Sequence, residues 1–371
     1  MRDQLAVRLA ARPHAPVGIF PTPLQHMGRL SRLLGRSVYF KREDLAGLAI
    51  GGSKIRILQH TAGDALHRGA KLFVAGGYVQ SNHPAQVAAV GRALGVPTEM
   101  VLDTTKGYEI QGNLLLASLM GTRVHFVREG AYEAIREACR RYVARLNARG
   151  SRAQLLTLTP EIHALSALAY AEGFLELAAQ LEQAGIRDGD VFVGSGGPTY
   201  AGLVLGARAY GGPLRVHGAP PHGLGAGARE RVVHVAQAAA ALLELDVPVG
   251  PDDVSLLGAG DGVYGFTYPA SIKAIRTVAE AEGVFLDPVY TGNGMAELLR
   301  WNKAHPGDTP VVFLHTGGVT TLFAYERELL GTRGHHDRVG HRISRLGRTA
   351  RSRRIAPPRG TRSRAASRDR R

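Results

Sequence analysis

Four short glycine-rich or polar segments of this 371-residue chain hold the residues whose types and spacing could do chemistry. In residues 51–54 (GGSK), Lys54 follows two glycines and Ser53 at the start of a helical pattern. A lysine held rigidly and partly desolvated is neutral and nucleophilic, able to bond to a carbonyl carbon, and flanking glycines let a flat ligand approach the backbone. A solvated first-turn lysine is the plain alternative. Residues 76–83 (GGYVQSNH) follow an apolar strand and present Ser81, Asn82 and His83 together, more hydrogen-bonding groups than one helix cap requires.

Residues 194–202 (GSGGPTYAG) link a buried strand to a helix opening near Thr199 and Tyr200. Small residues there expose backbone N–H groups at a helix N-terminus, which suits a phosphate. The spacing is neither a P-loop nor a dinucleotide fingerprint, since Thr199 occupies the third glycine position after Gly194 and Gly196. A tight turn needing glycine for its geometry alone would look the same. Residues 315–318 (HTGG) end the strand VVFL: His315 reads as a core histidine, and Thr316 could donate to a bound ring. No HExxH is present, and the adjacent His335 and His336 fall in a basic tail, so no metal site is read from the sequence.

Alternating elements must position these turns. Strand patterns occupy 37–41, 71–74, 98–102, 123–127, 190–193 and 310–314; helical patterns occupy 55–68, 86–94, 112–120, 132–147, 164–184 and 271–282. Such alternation predicts an α/β fold of parallel sheets with helices on both faces, where chemistry gathers at strand carboxyl ends. The longest apolar stretch, around 235–247, is broken by Gln237, Glu244 and Asp246, so no membrane span is expected, and no secretory signal is read at the N-terminus. A single Cys139 excludes an internal disulfide and suits a reducing compartment. The net charge of +15 is uneven: residues 331–371 hold 14 arginines and two acids, a net of +12, leaving +3 for the rest. That tail reads as a disordered, solvated extension, and secondarily as an arm binding polyanions non-specifically.

Taken in order, PTPLQ (21–25), KRED (41–44), GGSKIR (51–56), QSNH (80–83), GSGG…TYAGL (194–203), VYG (263–265), EGVFLDPVYTG (282–292) and HTGG (315–318) resemble one family. It is the D-cysteine desulfhydrase and 1-aminocyclopropane-1-carboxylate (ACC) deaminase family of fold type II pyridoxal-phosphate (PLP) enzymes, which are tryptophan synthase β-like. The resemblance spans roughly residues 20 to 326 and implies two parallel-sheet domains with the cofactor in the cleft between them. The large domain would be 1–52 with 165–330, the small mobile one 53–164, and 331–371 a tail without counterpart.

The resemblance implies Lys54 as the lysine that carries the cofactor and later moves protons, and Asn82 as partner of its ring hydroxyl. Gly194, Ser195, Gly196, Gly197 and Thr199 would hold the phosphate; Thr291 or Thr316 would sit near the pyridine nitrogen. Ser81, with Asn82 and His83, would bind the substrate, while Tyr264 and Tyr290 would face its departing group. The implied reaction is elimination of a β-substituent from a small amino acid, D-cysteine first, in a cytoplasmic homodimer. ACC deamination, cysteate desulfonation and β-replacement are the enzymatic alternatives; a polyanion-binding protein acting through its tail is the non-enzymatic one. The ring-opening branch places glutamate at the position of Thr291 and glutamine at that of His83, so both residues favour desulfhydration. Ser53, Pro84, Ala85, Pro198 and Asn293 depart from the family pattern.

Overall fold

The computed structural model describes residues 1–157, 159–258 and 262–330. The arginine-rich tail therefore lies outside the described residues. In chain order the elements are α1 (Arg2–Ala10), β1 (Leu24–His26), α2 (Gly28–Leu34), β2 (Val38–Lys41), α3 (Ser53–His67), β3 (Leu72–Tyr78) and α4 (Asn82–Leu94). There follow β4 (Thr98–Asp103), α5 (Gly112–Leu119), β5 (Arg123–Val127), α6 (Tyr132–Asn147), β6 (Ala153–Leu155), α7 (Pro160–Gln183) and β7 (Gly189–Val193). The chain continues through α8 (Pro198–Tyr210), β8 (Leu214–Gly218), α9 (Ala228–Leu242), β9 (Ser255–Leu256), α10 (Pro269–Glu282), α11 (Thr291–Ala304), β10 (Val311–Leu314) and α12 (Glu326–Leu330).

Two sheets result, one of six strands in the order β1-β2-β10-β7-β8-β9 and one of four in the order β5-β4-β3-β6. The smaller is parallel throughout. The larger is parallel except at its edge, where β1 runs antiparallel to β2. Every residue of β7 and β10 is buried, as parallel strands covered on both faces require.

Helix α7 packs along the larger sheet and meets α8 at unusually close range. A side chain at Gly202 would collide with the Ala167 carbonyl, and one at Gly206 with the Phe174 side chain. Glycines four apart thus let the two backbones approach. In the smaller sheet, Gly76 of β3 makes room for the buried Cys139 of α6, whose sulfur lies 2.2 Å from where a β-carbon would stand. Burial pushes that thiol up to about 11.

Both site helices begin earlier than their apolar periodicity implies. Helix α3 starts at Ser53 and takes Lys54 into its first turn; α4 starts at Asn82 and includes Asn82, His83 and Pro84. A proline costs nothing in a first turn, where its missing N–H would have no helical partner. No helix among the described residues is long and apolar enough to cross a membrane.

Candidate active site

Strand β2 delivers the chain through a single 3-10 turn, Glu43–Leu45, into the loop before α3. Gly51 (φ +73°) and Gly52 (φ +122°) take backbone conformations that favour glycine, and a β-carbon on Gly51 would overlap the Asp44 carbonyl at 1.8 Å. Gly52 N–H donates to the Glu43 carbonyl at 2.9 Å and Ser53 N–H to the Thr316 carbonyl at 2.9 Å. The loop is thereby laced to the HTGG turn, where a side chain on Gly317 would lie 2.6 Å from the Gly52 Cα. Lys54 stands at this junction. Its Nζ donates to Ser53 Oγ at 3.0 Å and lies 5.7 Å from the centre of the Tyr290 ring. Burial brings the amine down to about 8, with the carboxylate of Asp287 acting in the opposite sense.

Strand β3 ends at Tyr78, and Ser81 caps α4 without spending its hydroxyl on the helix. Asn82 Oδ1 accepts from Asn113 Nδ2 at 2.8 Å and from Thr321 Oγ1 at 3.3 Å. These bonds fix the amide so that Nδ2, which donates to no described residue, points past Gly318; a β-carbon there would stand 3.0 Å from it. His83 is buried, donating from Nε2 to the Leu156 carbonyl, while its Nδ1 is buried without a partner. Burial, with some help from the nearby Lys54 charge, lowers it to about 4, so the ring is neutral and Nδ1 carries a bare lone pair.

The turn from β7 to α8 is built by exclusion. A side chain on Gly194 would strike the Tyr290 carbonyl at 2.2 Å, and one on Gly196 would strike Pro220 at 2.9 Å. Gly197 is the N-cap of α8 and donates to Ser195 Oγ at 3.2 Å; Pro198 takes the first helical position and Thr199 is buried. The helix start, the glycines and the Thr199 hydroxyl together suit a phosphate.

Asp287 organises the opposite wall. Its Oδ1 accepts from the backbone N–H groups of Val289 (2.9 Å) and Tyr290 (2.8 Å). Its Oδ2 accepts from Thr291 N–H (2.8 Å) and Thr291 Oγ1 (2.7 Å). Thr291 Oγ1 also accepts from Asp287 N–H at 2.7 Å, so that hydroxyl's proton is committed to holding the turn. The Thr316 hydroxyl has no partner among the described residues. His315 is satisfied at both nitrogens, donating from Nε2 to the Phe285 carbonyl (2.9 Å) and accepting at Nδ1 from Gly317 N–H (3.2 Å). Tyr264 and Tyr290 join their hydroxyls at 2.5 Å, and burial raises both well above the ordinary phenol value, so both keep their protons.

The structure therefore brings Lys54, Tyr290 and Tyr264 into one group, sets Gly194 under Tyr290, and closes Asn82, Gly318 and Asp287 around the HTGG turn. Several participants carry no role in the sequence reading. Asp287, Asn113, Thr321 and Gln86 all position groups that do, and Gln86 Nε2 ties α4 to the Gly51 carbonyl at 2.7 Å. Gln86 lies four residues after Asn82, the spacing of one helix face, which is the one signal the sequence offers for it.

The lysine beside glycine-cleared turns suits a pyridoxal-phosphate-dependent enzyme, and the two parallel sheets suit fold type II. Residues 16–317 match the family described as "Pyridoxal-phosphate dependent enzyme", and the chain belongs to it. It is 35% identical over 316 residues to the D-cysteine desulfhydrase of Salmonella schwarzengrund, covering 82% of this chain and 94% of that one. A solved structure of an ACC deaminase homologue superposes with a TM-score of 0.80 at 30% identity, covering 89% of this chain and 99% of that one. The processed form of threonine deaminase isoform 2 from Solanum lycopersicum shares the fold at a TM-score of 0.64, 18% identity, covering 90% of this chain and 93% of that one.

The lowered Lys54 pKa carries a measurable consequence. Its folded value of about 8 lies below the ordinary 10.5, so the neutral amine gains on the ammonium as pH rises toward 8. Attachment of pyridoxal phosphate to the apoenzyme, trapped with borohydride, is expected to quicken about tenfold per pH unit up to that point and then level. A rate still climbing at the ordinary lysine value would show an unperturbed amine.

Proposed function

We propose that this enzyme eliminates the β-substituent of a small amino acid, D-cysteine foremost, releasing sulfide, pyruvate and ammonia. The observation that carries this reading is the 35% identity to a D-cysteine desulfhydrase along nearly its whole length, with Lys54 set against a protonated tyrosine pair. Bound pyridoxal phosphate supplies an electron sink that makes the substrate's α-proton acidic. Lys54 holds the cofactor and then moves that proton. Asn82 Nδ2 meets the ring hydroxyl, and Gly194, Ser195, Gly196, Gly197 and Thr199 hold the phosphate. Thr316, whose hydroxyl has no partner among the described residues, would hold the ring nitrogen's side of the cofactor, while Thr291 supports the Asp287 turn.

Ser81 receives the substrate carboxylate. The neutral His83 lines the same pocket. Tyr264 and Tyr290, held protonated by burial, face the departing thiolate and donate to it as negative charge develops. All four strands of the smaller sheet fall within 53–164, and this supports treating that segment as the mobile domain, closing on 1–52 with 165–330 to exclude water. We assign the protein to a homodimer in the cytoplasm, where the reduced Cys139 is at home.

Product analysis on the holoenzyme tests the reading. D-Cysteine is expected to yield sulfide and pyruvate in equal amounts. 2-Oxobutyrate from ACC, sulfite from cysteate, or a new amino acid on adding a nucleophile would transfer the assignment to the corresponding relative. A cofactor-loaded protein that turns over none of them would overturn it.

A further inference from the structure

Away from the active site, three ligating side chains from separate elements converge: His14 from the segment before β1, His60 from α3 and Glu172 from α7. Glu172 Oε2 lies 2.8 Å from His60 Nε2 and 3.5 Å from His14 Nε2, and the two imidazoles meet edge-on with centroids 4.2 Å apart. The three ligand atoms all fall within 4.8 Å of one another. A tetrahedral ion with bonds of about 2.0–2.1 Å needs donors roughly 3.3 Å apart, a spacing inside that range.

The placement is held by backbone rather than by chance side-chain contact. Ala15 N–H donates to the Gln59 carbonyl at 2.8 Å, and Gly63 of α3 lets the chain at 13–15 press so close that a β-carbon would lie 2.7 Å from the Pro13 carbonyl. His14 Nδ1 is 2.7 Å from the Arg12 carbonyl. A carbonyl can only accept, so Nδ1 bears the proton and the Nε2 of a neutral His14 aims its lone pair at a carboxylate oxygen. Either a proton or a metal ion between these two atoms satisfies both. Fixing a ligand imidazole through a backbone carbonyl is also the usual outer support of a metal-binding histidine.

Arg56 is paired with Glu43 and Glu176 and reaches Glu172 and His60 only through its field, and Arg12 faces Asp64 at 3.9 Å, so among the described residues the direct partners of the Glu172 carboxylate are the two imidazoles. His60 Nδ1 is buried with no partner, so it can take up the proton when Nε2 turns to an ion. His14 and Glu172 are 29% and 41% exposed at their side chains, which opens a path from solvent.

We propose that His14, His60 and Glu172 bind a borderline divalent transition ion, zinc foremost, with water as the fourth ligand. Two nitrogens and one carboxylate oxygen suit zinc, with cobalt as its spectroscopic substitute. The ion ties the N-terminal segment and α7 to α3 within two turns of Lys54, acting as a structural staple behind the lysine-bearing helix.

The test titrates the holoenzyme with ZnCl2 and CoCl2 and compares wild type with His14→Ala and Glu172→Gln. One equivalent is expected to bind in wild type, at least tenfold more weakly in each variant, with a tetrahedral cobalt spectrum in wild type alone. With zinc about 100-fold above its dissociation constant, the unfolding midpoint rises by roughly 5 °C in wild type and not in His14→Ala, whose turnover is unchanged. The proposal fails if both variants bind zinc as wild type does, if wild type binds none, or if binding disappears only on replacing His335 and His336.

Discussion

Lys54→Ala is expected to lower kcat by on the order of 10⁴-fold or more, the scale on which removal of a covalent catalytic group acts. The loss is chemical rather than structural. Among the described residues the side chain makes one hydrogen bond, to Ser53 Oγ, and faces the Tyr290 ring; though buried, it belongs to no apolar core cluster. The helix that bears it is fixed through other groups, including Ser53 N–H to the Thr316 carbonyl and Gln86 to the Gly51 carbonyl. The variant should therefore melt within a degree or two of wild type while losing borohydride-fixed label at this position. Lys54→Arg should not rescue, because a guanidinium stays protonated and cannot act as nucleophile or base. Retention of turnover or of the label in Lys54→Ala would reassign the covalent residue.

The second large effect lies beneath the same helix. Arg56→Ala is expected to destabilise the fold by about 3–5 kcal/mol, read as a fall in the denaturant midpoint with an unchanged slope. Arg56 is essentially inaccessible. It donates from Nε and Nη2 to the two oxygens of Glu43 (2.9 and 2.8 Å) and from Nη1 and Nη2 to those of Glu176 (2.9 and 3.0 Å). Lys41 supplies the second cation, bonding Glu176, the Gln180 amide oxygen and the Thr22 carbonyl, so two cations balance two carboxylates. Thr22 and Tyr170 hydroxyls complete the shell of Glu43 at 2.6 and 3.0 Å. Removing Arg56 leaves two carboxylates to one ammonium inside the protein.

The same network sets an acid limit. Burial opposes ionisation of Glu43, but Arg56 beside it holds the carboxyl down to about 2, against an ordinary 4.5. A carboxyl depressed on folding contributes stability that is complete above its unfolded value and is lost as pH falls through 4.5 toward 2. Arg56→Ala should flatten that decline, and an equally steep acid transition in the variant would count against the pairing.

These two residues also mark where sequence reasoning reaches and where it stops. The turns that carry Lys54, Asn82 and residues 194–199 were legible as turns because each sits where an apolar strand gives way to glycine and a helix, a pattern carried by neighbouring residues. The alternating elements were legible for the same reason, down to the strands at 38–41 and 311–314. The Glu43–Arg56–Glu176 network was not, since Glu176 lies 120 residues beyond Arg56 and nothing local marks a charged residue for burial. Asp287 hides in the same way: within DPVYT it reads as a turn former, and only the folded backbone shows it collecting three N–H groups and one hydroxyl. Edge strands β1, β6 and β9 are two or three residues long, too short for a period-2 pattern to register.

Cys139 gives the folded enzyme a kind of immunity. Packed against Gly76 and pushed up to about 11, the chain's one thiol is both shielded and protonated at neutral pH. Oxidants such as disulfides attack thiolates, not buried thiols. Among the described residues this protein offers them no thiolate for as long as α6 stays seated on β3.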